Sequence, residues 1–417
     1  MNKRLFTIYK HAKENVPFYS NLYKDTYFNE KDFFINDLPL VSKNLLLDSE
    51  YSNISNIINN LDYTSIAHIP TSGSTGKFLD VMWRDKEYQS SLLPLWVLRK
   101  KRYQITPRDK LCCFFTNQYD GKNIVNCEDV FYYKNRMLIK KSNLTPDNLK
   151  VICKKILDFS PKWMILQPSV AVLLCQCIED NNYIINDELK YIELTGEKIF
   201  PQIRNYIKNT FKCFVANQYG CNEVNSIAYE CRLGNLHILQ ECNHIEIIKN
   251  RKICSYEEEG DIYVTSLCNC IMPFIRYETG DRGIMYPSSI CSCGCKSPVL
   301  KILTGRNSDW IISKHGLKTN VNVFVRSFEI INSIMDDVIR QFQVIQEDYD
   351  VFVIKLVVEK DIVYDSEIIN YLKQLFFQTL EEKTLLDSHF IFEFCDQLFP
   401  DEKSNKHKLL ISKINNM

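Results

Sequence analysis

Tyr191-Ile-Glu-Leu-Thr195, Gly196-Glu-Lys198, Pro201 to Phe211 and Cys213-Phe-Val-Ala216 follow one another as strand, turn, helix and strand. A short run of apolar and β-prone residues closed by glycine reads as a strand, and a proline in the first turn marks a helix start. A βαβ unit of this kind builds a parallel sheet, and such sheets bind ligands beyond the carboxyl ends of their strands. Gly196-Glu-Lys198 and Tyr219-Gly-Cys-Asn-Glu223 fall at those ends.

Upstream, the spacing predicts a strand over 111–115 and a helix over 145–159, for which Thr145-Pro-Asp147 supplies a hydroxyl cap and an opening proline. A strand over 163–166 then feeds a helix over 170–178, and one helix is expected over 85–102. Residues 1 to about 65 read as a lead-in of short helices. Downstream, from Ala228 to about Tyr286, the text turns to short alternating strands such as Ile262 to Ser266, which makes a β-rich layer. After Gly305-Arg306 it changes again, to a helix over 322–335, strands over 339–346 and 351–359, a helix over 366–380 and a strand over 390–395. The expected fold class is therefore α/β. A large unit over 1–306 with parallel sheets and a β-rich layer precedes a small mobile α+β cap over 307–417, with a hinge near 307–310.

Composition narrows the function. The chain has 417 residues, too many for one ordinary core, and 45% of them are hydrophobic. Lys plus Arg equals Asp plus Glu at 51 each, without a basic tail or block, which argues against nucleic acid and anionic membrane as partners. No apolar run long enough to span a bilayer occurs, so a cytosolic location is expected. Seventeen cysteines, an odd and scattered set, read as reduced core thiols rather than a disulfide framework. Phe114, Phe115 and Tyr119 suit core or pocket equally.

Thr71-Ser-Gly-Ser-Thr-Gly-Lys77 crowds four hydroxyls, two glycines and a lysine into seven residues. Gly73 and Gly76 let backbone N–H groups converge, Ser72, Ser74 and Thr75 donate, and Lys77 adds charge, so a phosphate is the expected guest. The P-loop pattern fails on spacing, since two residues separate the glycines and Phe78 follows the lysine. A flexible Ser/Gly linker is the competing reading.

Thr71 to Lys77, Tyr219 to Glu223, Tyr277-Glu-Thr-Gly-Asp281 and Gly305-Arg306, in that order, resemble the superfamily of adenylate-forming enzymes, which holds the acyl- and aryl-CoA ligases and the adenylation domains. Within it the sequence looks most like the phenylacetate-CoA ligase and CapK-like branch. That narrower resemblance rests on Val16-Pro-Phe-Tyr19, Leu38-Pro-Leu-Val-Ser-Lys43, Glu230-Cys231 with Leu236-His237, Cys291-Ser-Cys-Gly294 and Ser404-Asn-Lys406. It implies that Ser72, Gly73, Ser74, Thr75, Gly76 and Lys77 hold the β and γ phosphates of ATP. It also implies that Gly196, Glu197, Tyr219 and Gly220 form the adenine slot, that Asp281 takes the ribose hydroxyls with Arg306 assisting, and that Glu223 binds Mg²⁺. Lys406 would be the catalytic lysine that the cap brings in, with Lys408 the second candidate; a solvated basic tail is the alternative for it. The sequence departs from the branch at Asn222, where Thr is usual beside the α-phosphate, at Phe78 in place of proline, and at Asn405 in place of glycine.

The resemblance also places Cys231, His237, Cys291 and Cys293 where metal-binding members carry ligands, a Cys3His set suited to structural zinc, with Cys295 spare. A chance cluster in a cysteine-rich chain competes with it. The activity implied is activation of a carboxylic acid, aromatic or small and apolar, as an acyl-AMP with release of pyrophosphate. The acyl group would then pass to a thiol, coenzyme A first. A carrier protein or an amine as acceptor stays open, as does an inactive ATP-binding scaffold, and a homodimer is admitted.

Overall fold

The computed structural model describes residues 2–49, 52–70, 79–115, 129–140, 144–303, 310–312, 318–336, 338–358, 362, 365–380, 385, 388–399 and 408–414. The chain opens with α1 (Asn2–Asn15), α2 (Pro17–Leu22) and α3 (Lys43–Leu47), and then folds β1 (Ile66–Pro70) onto β2 (Asp80–Arg84) as an antiparallel hairpin. Next come α4 (Asp85–Ser91), α5 (Leu93–Tyr103), β3 (Leu111–Phe115), β4 (Val130–Tyr133) and β5 (Arg136–Lys140). The single helix expected over 85–102 is thus two, broken at Leu92, because Pro94 has no N–H to continue the ladder and sits in the first turn of the second helix. The central run is α6 (Pro146–Phe159), β6 (Trp163–Leu166), α7 (Pro168–Asp180), β7 (Tyr191–Thr195), α8 (Pro201–Phe211) and β8 (Phe214–Cys221). Proline opens α6, α7 and α8 alike, and the Thr145 hydroxyl accepts from Asn148 N as the cap of α6.

β3, β5, β6, β7 and β8 pair in parallel, in the spatial order β5-β3-β6-β7-β8, with β4 antiparallel at the edge. From β8 onward the same sheet turns antiparallel. It runs through β9 (Asn225–Glu230), β10 (Leu236–Ile238), β11 (Asn243–Lys249), β12 (Lys252–Ile253), β13 (Glu259–Ser266), β14 (Tyr277–Tyr286) and β15 (Val299–Ile302). The parallel and β-rich parts are therefore one 13-stranded sheet, joined at the β8–β9 pair. β8 is also longer than the expected 213–216, because β9 gives its second half a partner; Tyr219 and Gly220 lie within the strand, at a bulge.

Alternation along the strands splits the core in two. Met164, Leu166, Ile192 and Leu194 pack with α6, α7 and α8, whereas Trp163, Ile165 and Tyr191 pack under α5 on the other face. The lead-in helices and the β1–β2 hairpin cover the antiparallel half, against Ile245, Ile262, Val264 and Leu300. Under α5 the core is polar: Arg99 and Glu193 form a bidentate pair with side-chain exposures of 6% and 2%. The guanidinium lies over the rings of Trp96 and Trp163, 4.6 and 4.9 Å from their centroids, and the Tyr191 hydroxyl donates to Glu193 at 2.9 Å. Truncating Glu193 to Ala strands a buried cation, and the expected cost, read from denaturant unfolding, is about 3–5 kcal/mol. Replacing both partners together by Met and Leu is expected to cost far less, since the desolvation penalty leaves with the charges.

The C-terminal unit holds a short hairpin of β16 (Trp310–Ile312) and β17 (Lys318–Asn320), then α9 (Asn322–Ile334), β18 (Ile339–Asp348), β19 (Val351–Val358), α10 (Ser366–Thr379), β20 (His389–Phe394) and β21 (Leu410–Ser412). Its four-stranded sheet has the order β20-β19-β18-β21, with Phe324, Phe328, Phe376 and Phe352 buried between sheet and helices. This unit packs on α7 and α8: Phe342 lies 5.9 Å from Phe200, Arg340 sits 4.4 Å over Tyr206, and Gln176 donates to the Asp396 carbonyl at 3.2 Å. The expected hinge at 307–310 lies outside the described residues but for Trp310, which opens β16. Among the described residues every cysteine is free and no helix is long and apolar enough to cross a membrane.

Candidate nucleotide site and cysteine cluster

The carboxyl edge of the parallel strands gathers the central motifs. Tyr219 of β8 donates its hydroxyl to Asp281 Oδ2 at 2.8 Å, across 62 residues of sequence. Burial first, and the Asp281 charge second, push the Tyr219 phenol well above its usual pKa, so it remains a donor at physiological pH. Gly220 follows at the bulge, where a Cβ would stand 2.2 Å from the Asn225 carbonyl oxygen; only glycine lets β9 approach this closely. Asn222 comes next, and its backbone carbonyl accepts from the Trp83 indole at 3.2 Å. Trp83 belongs to β2, so the hairpin is pinned to the β8–β9 turn. Pro70 pairs with Asp80 at the end of that hairpin, and its connection is the glycine loop. The loop residues Ser72, Gly73, Ser74, Thr75, Gly76 and Lys77 lie outside the described residues, as do Arg306 and Lys406.

Gly196 ends β7 at φ +83°, the left-handed conformation that favours glycine, and turns the chain over the sheet edge. Glu197 is already engaged: its carboxylate accepts from Ser169 N at 2.9 Å and from the Ser169 hydroxyl at 2.8 Å, in the first turn of α7. The turn after β7 is thus braced by a helix N-terminus, where a negative charge is favoured.

Glu223 stands apart from the other buried glutamates. Glu193, Glu230 and Glu246 each have an arginine, Arg99, Arg204 and Arg276. Glu223 is 8% exposed and accepts from the Tyr277 hydroxyl at 2.9 Å, yet among the described residues it has no cationic partner. A buried carboxylate is ordinarily paired or bound to a metal ion. Glu223 lies on the turn between β8 and β9, and Tyr277 opens β14, which carries Asp281. Tyr277, part of the Tyr277-Glu-Thr-Gly-Asp281 motif but without a role expected from sequence, is brought to Glu223 by the fold; its position four residues before Asp281 on the same strand is the available signal.

The second constellation lies at the far end of β9. Cys231 follows that strand, His237 sits in β10, and Cys291 and Cys293 lie on the loop before β15; their ligand atoms all fall within 4.8 Å of one another. Cys231 Sγ and Cys291 Sγ are 3.7 Å apart and Cys293 Sγ is 3.2 Å from His237 Nε2. Two sulfurs on a tetrahedral zinc, each about 2.3 Å from it, stand about 3.8 Å apart, so the observed spacing fits that ion. His237 Nδ1 is 2.9 Å from the Ser297 carbonyl, which fixes the tautomer and leaves Nε2 free to ligate. Burial alone would raise the Cys291 thiol, but hydrogen bonds from the Cys293 backbone, His237 and Asn235 bring it down to about 6. Burial takes Cys231 up to about 11. Cys295 is outside the four and donates its backbone N–H to Cys293 Sγ at 3.4 Å.

Comparison with known proteins agrees with this architecture. Residues 311–413 match the family model of the CapK C-terminal domain. Protein CapK of Staphylococcus aureus is 26% identical over 432 residues, spanning 99% of this chain and 88% of that protein. Among solved structures, 2-hydroxyisobutyryl-CoA ligase in the postadenylation state superposes with a TM-score of 0.73 at 15% identity, covering 99% of this chain and 88% of that one. The anthranilate CoA ligase AuaEII superposes with a TM-score of 0.55 at 13% identity, over 81% of this chain and 65% of that one. The fold is that of the adenylate-forming ligases, with a CapK-type C-terminal unit, as the motifs implied.

Proposed function

We propose that this chain is an ATP-dependent ligase that activates a carboxylic acid as its acyl-adenylate, with release of pyrophosphate, and passes the acyl group to a thiol, coenzyme A before a carrier protein or an amine. The observation that carries the reading is Glu223: a buried carboxylate that has no cationic partner among the described residues, on the turn between β8, which carries Tyr219, and β9. Mg²⁺, a hard cation suited to carboxylate oxygen, would there offset charge developing on the phosphates. Tyr219 presents a ring for the adenine, and Asp281, steadied by the Tyr219 hydroxyl, accepts from the two ribose hydroxyls. Tyr277 holds the Glu223 carboxylate in place. The loop Ser72 to Lys77 would receive the β and γ phosphates, Asn222 would donate beside the α-phosphate, Arg306 would assist at the ribose, and Lys406 would bridge the reacting carboxylate and α-phosphate. In the Cys3His cluster, zinc would supply a structural bond between β9, β10 and the loop before β15.

ATP–pyrophosphate exchange across a panel of acids tests the reading. At least one aromatic or small apolar acid is expected to support exchange, and mass analysis after addition of coenzyme A is expected to show the acyl thioester. ATP binding without exchange for any acid would favour a scaffold instead.

A further inference from the structure

Two thiols meet where the β11–β13 ladder runs out. Asn243 opens β11 opposite Ser266, the last residue of β13, and one step further Leu267 N donates to the Cys242 carbonyl at 2.8 Å. Cys242 and Cys268 therefore sit in adjoining turns, and their side chains are hydrogen-bonded to each other. Cys242 is buried, whereas Cys268 is only half-buried and is also hydrogen-bonded to the Arg4 side chain of α1, which reaches the Glu241 carbonyl as well. The Cys242 hydrogen bond first, and the Arg4 charge after it, hold the Cys268 thiol below its ordinary pKa against burial and the Glu87 carboxylate. Burial takes Cys270, two residues on, up to about 11, so Cys268 is the better nucleophile of the two.

Cys242 is also tied toward the candidate site. Its Sγ donates to the Ser91 carbonyl at 3.3 Å, and the Ser91 hydroxyl accepts from Asn225 Nδ2 at 2.9 Å. Asn225 opens β9, and its own carbonyl is the group that Gly220 packs against at the bulge. We propose that Cys242 and Cys268 form a redox switch: a peroxide closes them into a disulfide that slows acyl-adenylate formation, and a thiol reductant reopens it. The Cys268 thiolate attacks one peroxide oxygen and breaks the O–O bond, giving a sulfenic acid and a hydroxide that takes up the proton the thiol had released. The Cys242 sulfur then attacks the sulfenic sulfur, and its proton leaves with the hydroxyl as water. Two thiols and hydrogen peroxide thus become a disulfide and two waters. The Ser91 carbonyl loses its Cys242 donor, and the brace on the start of β9 slackens. The effect on rate rests on the ligase reading above; the disulfide itself does not.

The experiment treats the full chain with hydrogen peroxide, alkylates the remaining thiols and maps the peptides by mass spectrometry, alongside the exchange assay. In the wild type the Cys242 and Cys268 peptides are expected to be joined and lighter by two hydrogens. Exchange is expected to fall about fivefold, the scale of one lost hydrogen bond, and to return with dithiothreitol. Cys268→Ser removes the attacking thiol and is expected to hold the reduced wild-type rate before and after peroxide. Cys242→Ser, the second variant should the first not fold, keeps a hydroxyl donor for Ser91 and is expected to stop at the sulfenic acid with exchange unchanged. Both cysteines still alkylated after peroxide, a joined pair without loss of exchange, or a loss that persists in Cys268→Ser overturns the inference and leaves the ligase reading standing. Absence of exchange with every acid in the reduced protein overturns the ligase reading, and the peptide map still decides the disulfide.

Discussion

Glu223→Gln is expected to lower ATP–pyrophosphate exchange by about two to three orders of magnitude while the melting temperature holds or rises. The two expectations come from one cause. Among the described residues the buried Glu223 carboxyl has no arginine partner, so the neutral amide removes any desolvation cost of a carboxylate there and keeps an acceptor for Tyr277. In the reacting complex the same charge would anchor a divalent cation against the triphosphate, and losing several kcal/mol of that stabilisation corresponds to a rate loss of this size. A purely structural glutamate would behave the other way, with lower stability and nearly normal rate. Wild-type exchange in Glu223→Gln would sink the cation assignment, and a lost thermal shift with MgATP in an otherwise stable variant would support it.

The second large effect concerns the cysteine cluster. Protein purified without chelator is expected to carry about one equivalent of zinc, and Cys291→Ser is expected to lose it and to lower the melting temperature by on the order of 10 °C. Cys231 and His237 tie β9 to β10, and Cys291 and Cys293 bring in the loop before β15, so the lesion opens the sheet beside β8. Acidification is expected to act likewise: thiolate and imidazole take up protons as pH falls, and metal affinity falls with them. Metal analysis by mass spectrometry alongside calorimetry checks both parts. A metal-free wild-type protein of unchanged stability would remove the claim.

How legible the fold was depended on how local the signal is. Thr145-Pro146 and Pro201 announce helix starts within a few residues, and the βαβ run from Tyr191 to Ala216 carries its own turn, so those elements are found where the spacing puts them. The extension of β8 through Tyr219 and Gly220 was not legible, because its partner β9 lies beyond the turn and its bulge breaks the alternation. Nor was the union of parallel and antiparallel parts in one sheet, which depends on pairings such as β10 with β15 across some 60 residues. In the site, Tyr219, Asp281 and Glu223 were readable as motif residues, but the arginine partners that set Glu223 apart from Glu193, Glu230 and Glu246 lie 94, 26 and 30 residues away from those glutamates. Only packing reveals them. The cysteine set was partly readable, since Cys291 and Cys293 are neighbours in sequence, while Cys231 and His237 reach them only through strand pairing.

The last strand has a practical consequence for anyone shortening this polypeptide. β21 runs parallel to β18, with Val344 beside Leu410 and Gln346 beside Ser412, and Gln343 donates to the Lys408 carbonyl at 3.0 Å. The stretch from Lys408 to Ser412 is therefore a hem stitched to the C-terminal sheet. Clipping the tail would unpick the hem as well as discard Lys406, so a deletion confounds chemistry with unravelling where a single exchange at 406 keeps them apart.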